Sequence, residues 1–274
     1  MGRLKLTLLI AIMLAAYNTI WAQTDTSIQL TLQKEIPGSF TNFYVDALNN
    51  IYLVNPNNQI KKLDNKYDSV AVFNDVKRYG DIYTLDVSNP LKEVLYYRDF
   101  TTIVVLDRFL NPQNTIDLRT YGILQVKAVA ASYDNNYWLF DELENKLKKL
   151  DDNGNVLLES PDFRVLFQEE YNPSTIIDND GLLYLYDAKN GWLIFDYYGA
   201  FKQRVQLKAW KDVQVENKNL LGHDSTYLYT TSPPGINLNQ VKSNLNLPAA
   251  IKVQKKGNKF LVLTKDGLSI YSLQ

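Results

Sequence analysis

His223 is the single histidine of the 274-residue chain, and Asp224 follows it in LGHDST. A Ser-His-Asp triad would have to use that imidazole, and a metal centre built on several histidines is excluded by count. The chain has no cysteine, which removes disulfides, thiolate metal sites, a cysteine nucleophile and a lipidated N-terminal cysteine. A second candidate is Asp151-Asp152-Asn153-Gly154-Asn155, where oxygen side chains crowd a glycine. A calcium loop would need acidic residues at alternating positions and a glutamate twelve along. That glutamate is missing, and Asn-Gly is ordinary hairpin chemistry, so the stretch reads as a turn. Glu169-Glu170 and Asp141-Glu142 are adjacent carboxylates. A glycosidase needs two such groups facing across a cleft, whereas solvated loop charge is their commoner state. No G-x-S-x-G elbow, phosphate loop or dinucleotide fingerprint occurs.

The elements that must position these residues recur. A short apolar, aromatic run returns as IYLV at Ile51, VLYY at Val94, YWLF at Tyr137, LYLY at Leu183, YLYT at Tyr227 and FLVL at Phe260, at intervals of 43, 43, 46, 44 and 33 residues. Asn/Asp/Gly clusters precede most of them, as tight hairpins require. Thirteen or fourteen residues after the first four runs begin, a further strand ends in aspartate: IKKLD at Asp64, IVVLD at Asp107, LKKLD at Asp151 and WLIFD at Asp196. Each is followed by a turn and another β-rich run. Four short strands about every 43 residues predict an all-β, six-bladed β-propeller of four-stranded blades. The last unit, 250–274, holds three strands, and SIQLTLQKEI (27–36) is expected to supply the fourth and close the ring. In the fifth unit YLYT is taken as the second strand, with Pro233-Pro234 making the outer strands irregular. That register puts His223 and Asp224 in the turn between the first two strands. Tyr52, Tyr96, Trp138 and Tyr184 fall inside strands and are expected in the core, since the 12% aromatic content suits strand packing as well as sugar stacking.

The ends bound the rest. Arg3 and Lys5 precede the apolar run Leu6–Tyr17, and Ile20-Trp21-Ala22 offers a small residue for cleavage. Residues 1–22 therefore read as a signal peptide and 23–274 as a single propeller domain, exported to the periplasm or the outer-membrane surface. No later segment has transmembrane length. Removing the leader moves the formal charge from −1 to −3. The charges are interspersed, so nothing marks a nucleic-acid partner.

The phrase of a hydrophobic run, a third strand ending in Asp and a loose G-x-F/V resembles six-bladed propellers of the NHL-repeat type over essentially all of 23–274. An exported, cysteine-free chain of this kind is similar to envelope propellers of Bacteroidota-like bacteria. Relatives of that type include calcium-dependent lactonases and esterases, streptogramin-type lyases and pure binding scaffolds, so the resemblance implies a fold and leaves the activity open.

In a propeller, the loops joining second to third strands and those joining successive blades share one face. The former are expected to begin at Asn55, Arg98 (with Asp99), Asp141 (with Glu142), Asp187 (with Lys189), Thr231 and Lys265. The inter-blade loops carry Arg78-Tyr79, Tyr121, Glu169-Glu170-Tyr171 and Trp210. Mixed charge with Tyr, Trp and Arg anchors suits a protein interface. The expected function is a non-enzymatic scaffold or assembly subunit that binds another envelope protein, without cofactor or metal. The alternative is a calcium-assisted hydrolase or glycan-directed ligand binder with its site in the central channel. Asn, Asp or Glu converging from the first strands would favour the alternative.

Overall fold

The computed structural model describes residues 27–74, 78–233 and 237–273. The leader expected over 1–22 and Pro234 lie outside them. Within them the chain forms two N-terminal strands, β1 (Ser27–Ile28) and β2 (Leu30–Pro37), and then six blades in sequence order. Blade 1 is β3 (Asn42–Val45), β4 (Ile51–Val54), β5 (Ile60–Leu63) and β6 (Ser69–Phe73). Blade 2 is β7 (Thr84–Asp86), β8 (Lys92–Tyr97), β9 (Thr102–Asp107) and β10 (Pro112–Asp117). Blade 3 is β11 (Val126–Ala131), β12 (Tyr137–Asp141), β13 (Lys146–Leu150) and β14 (Val156–Glu159). A one-turn helix, α1 (Phe163–Phe167), leads to blade 4: β15 (Thr175–Asn179), β16 (Leu182–Asp187), β17 (Gly191–Asp196) and β18 (Phe201–Val205). Blade 5 is β19 (Lys211–Glu216), β20 (Asn219–His223), β21 (Leu228–Thr231) and β22 (Asn239–Ser243). Blade 6 is β23 (Lys252–Lys256), β24 (Lys259–Thr264) and β25 (Gly267–Leu273). Its fourth strand is β2, antiparallel to β25 with Leu32 opposite Tyr271 and Ile36 opposite Leu268. The ring closes as the sequence predicts, with β2 covering the edge that β25 would otherwise present.

The recurrent aspartates have a local cause. Where third strand turns into fourth, the Oδ1 atoms of Asp64, Asp107, Asp151 and Asp196 accept the backbone N–H groups two and four residues on, at 2.8–3.1 Å. Each side chain thus replaces a ladder partner and fixes the turn. Asp151 also accepts from the Asn155 side-chain amide at 2.9 Å, so DDNGN is the turn between β13 and β14. Hydrogen bonding by Asn155 holds the Asp151 carboxyl below its ordinary range.

Packing between blades supplies the core. The second-strand residues Tyr52, Tyr96, Trp138 and Tyr184 are fully buried, as expected. Between blades 2 and 3 the cluster includes Val94, Tyr96, Ile103, Val129, Tyr137 and Leu139; between blades 3 and 4 it includes Trp138, Phe140, Phe163, Tyr171, Leu185 and Phe195.

Blade 5 departs from the expected register. YLYT belongs to its third strand, because Asn217 and Lys218, at φ 50° and 62°, make a tight turn joining β19 directly to NLLGH. Both outer strands pair regularly, Leu228 facing Val241 and Thr230 facing Asn239, with Pro233 beyond the end of β21. His223 therefore ends the second strand, and the loop from second to third strand begins at Asp224. Thr231 ends the third strand and is not on the expected face.

Candidate functional site

The upper face is formed by the loops from second to third strands and by the inter-blade loops. Asn55, Asp141 and Asp187 all stand there but are spent on their own turns. Asn55 accepts from the N–H groups of Asn57 and Gln59, Asp141 from those of Leu143 and Glu144, and Asp187 from those of Lys189 and Asn172. Asp141 is buried and also ion-paired to Lys148 at 2.8 Å. Two expected aromatic anchors are core residues. Tyr171 is 1% exposed, enclosed by Phe163 and Phe167 of α1 with Arg204 over its ring. Trp210 is 7% exposed and stacks on Tyr229 at 5.1 Å, above a glycine, Gly222, where an added Cβ would lie 2.8 Å from the indole. Tyr121 turns down the outer edge, its hydroxyl donating to the Asn153 carbonyl in the β13–β14 turn.

The remaining expected residues fall into groups. Arg98 ion-pairs with Glu142 at 2.9 Å and lies over the Tyr83 ring. Asp99 packs on Gly80, beside Arg78 and Tyr79. Glu170 lends its carbonyl to Asn190 in the turn that carries Lys189, and Lys265 is exposed on blade 6. Around the Arg98–Glu142 pair the structure adds residues that the charge pattern did not flag. Tyr83, Phe100, Leu124, Leu143, Val165 and Leu166 are 38–76% exposed. Hydrogen bonds to backbone carbonyls join their loops: the Thr101 hydroxyl donates to Leu124, the Glu142 N–H to Gln125, and the Arg164 guanidinium to Glu144. These joined loops over blades 2 and 3 thus carry exposed apolar residues around the Arg98–Glu142 ion pair.

The central channel encloses about 860 Å³. Polar groups line it, but its carboxylates join blades. Asp86 accepts the Ala131 N–H of blade 3 at 2.8 Å. Asp178 of blade 4 accepts from Ser132 and the Trp138 indole, with burial holding its carboxyl above the ordinary range. Asp212 of blade 5 accepts from Val253 N–H at 2.7 Å and pairs with His223 Nε2 at 2.8 Å. Lys252 of blade 6 donates to Asn42 Oδ1 and the Phe43 carbonyl of blade 1 at 2.8 and 2.7 Å; burial pushes its ammonium down to about 8. His223 Nδ1 faces the Asp224 carbonyl, so the imidazole is held between two acceptors rather than aimed at a serine. Among the described residues no group of three or more His, Asp or Glu could hold a metal ion, and no helix is long and apolar enough to cross a membrane.

No protein-family model matches the chain, and no curated protein matches it in sequence. Solved structures do match in fold. A streptogramin B lyase superposes with a TM-score of 0.60 at 14% identity, over 85% of this chain and 78% of that one. A catalytically inactive virginiamycin B lyase from Staphylococcus aureus, with quinupristin, gives 0.59 at 12% identity over 90% and 88%. The WD40 domain of Pan2 from Neurospora crassa gives 0.58 at 13% over 87% and 78%. The chain is thus similar in architecture to propellers that include a lyase and a WD40 domain, and identity this low shows the fold alone.

Proposed function

We propose that this chain is an exported, non-enzymatic propeller of NHL-like type that docks another envelope protein on its upper face, as a scaffold or assembly subunit. The observation that carries the reading is the exposed apolar set of Phe100, Leu124, Leu143, Val165 and Leu166 around the Arg98–Glu142 pair. Contiguous exposed apolar surface rimmed by polar groups marks interaction sites, and a partner would bring an apolar segment flanked by both charges. The test is affinity capture of the native-envelope partner by the wild-type chain and by Leu124→Glu/Leu143→Glu/Val165→Glu. A stoichiometric partner lost with the variant supports the reading; equal capture by both would refute it.

A second reading places a small-ligand site in the channel, calcium-assisted or glycan-directed. Its glycan-directed form draws support from the channel volume and from Lys127 and Lys211, which line it and suit an acidic sugar. Calorimetric titration with calcium and with acidic oligosaccharides separates the two readings, since scaffold docking requires no heat of binding from either.

A further inference from the structure

The junction between blades 5 and 6 is built differently from the others. Its apolar cluster has three buried residues, Leu247, Val253 and Val262, against twelve between blades 2 and 3. Polar groups hold the inner edge. Gln214 donates to the Val253 carbonyl and accepts from Lys255 N–H, and Glu216 accepts from Lys255 Nζ and Gly257 N–H at 2.6 and 2.8 Å. The N-terminal strand holds the outer edge. β1 pairs in parallel with β22, and Asn244 takes both the N–H and the carbonyl of Leu30, at 2.9 Å each. Between these edges lies a cavity of about 340 Å³.

The cavity opens to solvent, its wall residue Leu273 being half-exposed, and its volume falls in the range of small-molecule sites. Polar residues share its lining, but most of the surface it presents is apolar, supplied by Leu221, Leu228, Val241, Val253, Phe260 and Leu273. Much of the polar wall is engaged with itself: Asp212 accepts from Val253 N–H and faces His223, Glu216 accepts from Lys255 and Gly257, and Gln214 bonds the backbone of Val253 and Lys255. Both Asn219 and His223, the two ends of β20, line it, which makes it a slot about 13 Å long at ~3.4 Å per residue. At ~30 Å³ per water-sized unit, it holds roughly ten non-hydrogen atoms. Exposed Gly257 and Asn258 stand at its lower end.

We infer that the seam between blades 5 and 6 is a binding slot for a single aliphatic chain of about ten non-hydrogen atoms, entered from the Gly257–Asn258 turn. The same slot takes that chain whether it is free or borne on a lipid.

The test is thermal unfolding of the full chain with straight-chain alcohols from hexanol to dodecanol, beside Val241→Phe and Leu228→Phe, which fill the slot. The expected result is a saturable rise in Tm, about 5–10 °C at a hundredfold excess over Kd. It should peak near decanol, change Trp210 fluorescence through the stacked Tyr229, and vanish in whichever filled variant folds. Co-flotation of the wild type with phosphatidylethanolamine–phosphatidylglycerol vesicles, lost on filling the slot, would assign the chain to a lipid; decanol binding without flotation would assign it to a free molecule. No saturable shift at any chain length, or the same shift in the filled variants, overturns the inference.

Discussion

Removing one partner of the buried ion pair between blades 1 and 2 should cost far more than removing both. Glu93 is 0% exposed, and one of its oxygens accepts from Lys62 Nζ at 2.8 Å and from the Tyr52 hydroxyl at 2.6 Å. Among the described residues Lys62, 4% exposed, has beyond this only the Arg108 carbonyl and the face of Tyr52. In Glu93→Leu the ammonium is left in the core with one neutral acceptor. In Lys62→Met the carboxylate is left with one hydroxyl. Each should lower stability by about 3–5 kcal/mol, whereas Glu93→Leu/Lys62→Met, which removes both charges, should stay within about 2 kcal/mol of wild type. At ~2–4 °C per kcal/mol the single variants lose roughly 6–20 °C in Tm. Burial already holds the Glu93 carboxyl above its ordinary 4.5, and Lys62 opposes that rise. A raised folded value means the native state keeps its proton longer than the unfolded chain. The Lys62→Met defect should therefore be largest near pH 7 and shrink as pH falls toward 4.5. Urea unfolding of all four proteins, followed by tryptophan fluorescence, measures the cycle. Single losses below about 1 kcal/mol, or a double loss equal to their sum, would refute the reasoning.

Two other perturbations test the frame. Hydrogen bonds hold Asp107, Asp151 and Asp196 below the ordinary 3.8, so they contribute stability that is present above that pH and lost as pH falls through their folded values. The stability of Asp107→Asn/Asp151→Asn/Asp196→Asn should fall less steeply than that of wild type between about pH 5 and pH 2, by chemical unfolding. Asn244→Ala removes both bonds to Leu30 and should cost about 1–2 kcal/mol, with earlier proteolytic loss of the N-terminal strand in a timed digest.

Much of the fold was legible because the blade repeats a chemical device, an aspartate that caps its own turn, at a near-constant offset from an aromatic run. Ring closure followed from counting strands in the last unit. Blade 5 broke the reading because its aromatic run sits one strand later, and a run's position in the chain carries no label of strand number. The Asn217-Lys218 turn was the signal that could have reset it. On the upper face, loop position implies exposure, yet Tyr171 and Trp210 are buried. Their burial depends on Phe163, Phe167 and Tyr229, residues from other elements whose approach no local pattern encodes. The exposed Leu124, Leu143 and Val165 were missed for the converse reason, since an isolated leucine in a loop looks like any core residue until the neighbouring loops are in place. The slot at the last seam is an absence of packing and has no sequence signature.

The most direct test of the docking face is site-specific photo-crosslinking in the native envelope. A benzophenone side chain would replace Leu143 on the upper face and, in a second protein, Leu48 in the β3–β4 turn below, both more than half exposed. One discrete adduct from position 143, abolished by Val165→Glu and absent from position 48, is the predicted result. No adduct from 143, or the same adduct from both positions, would contradict the account.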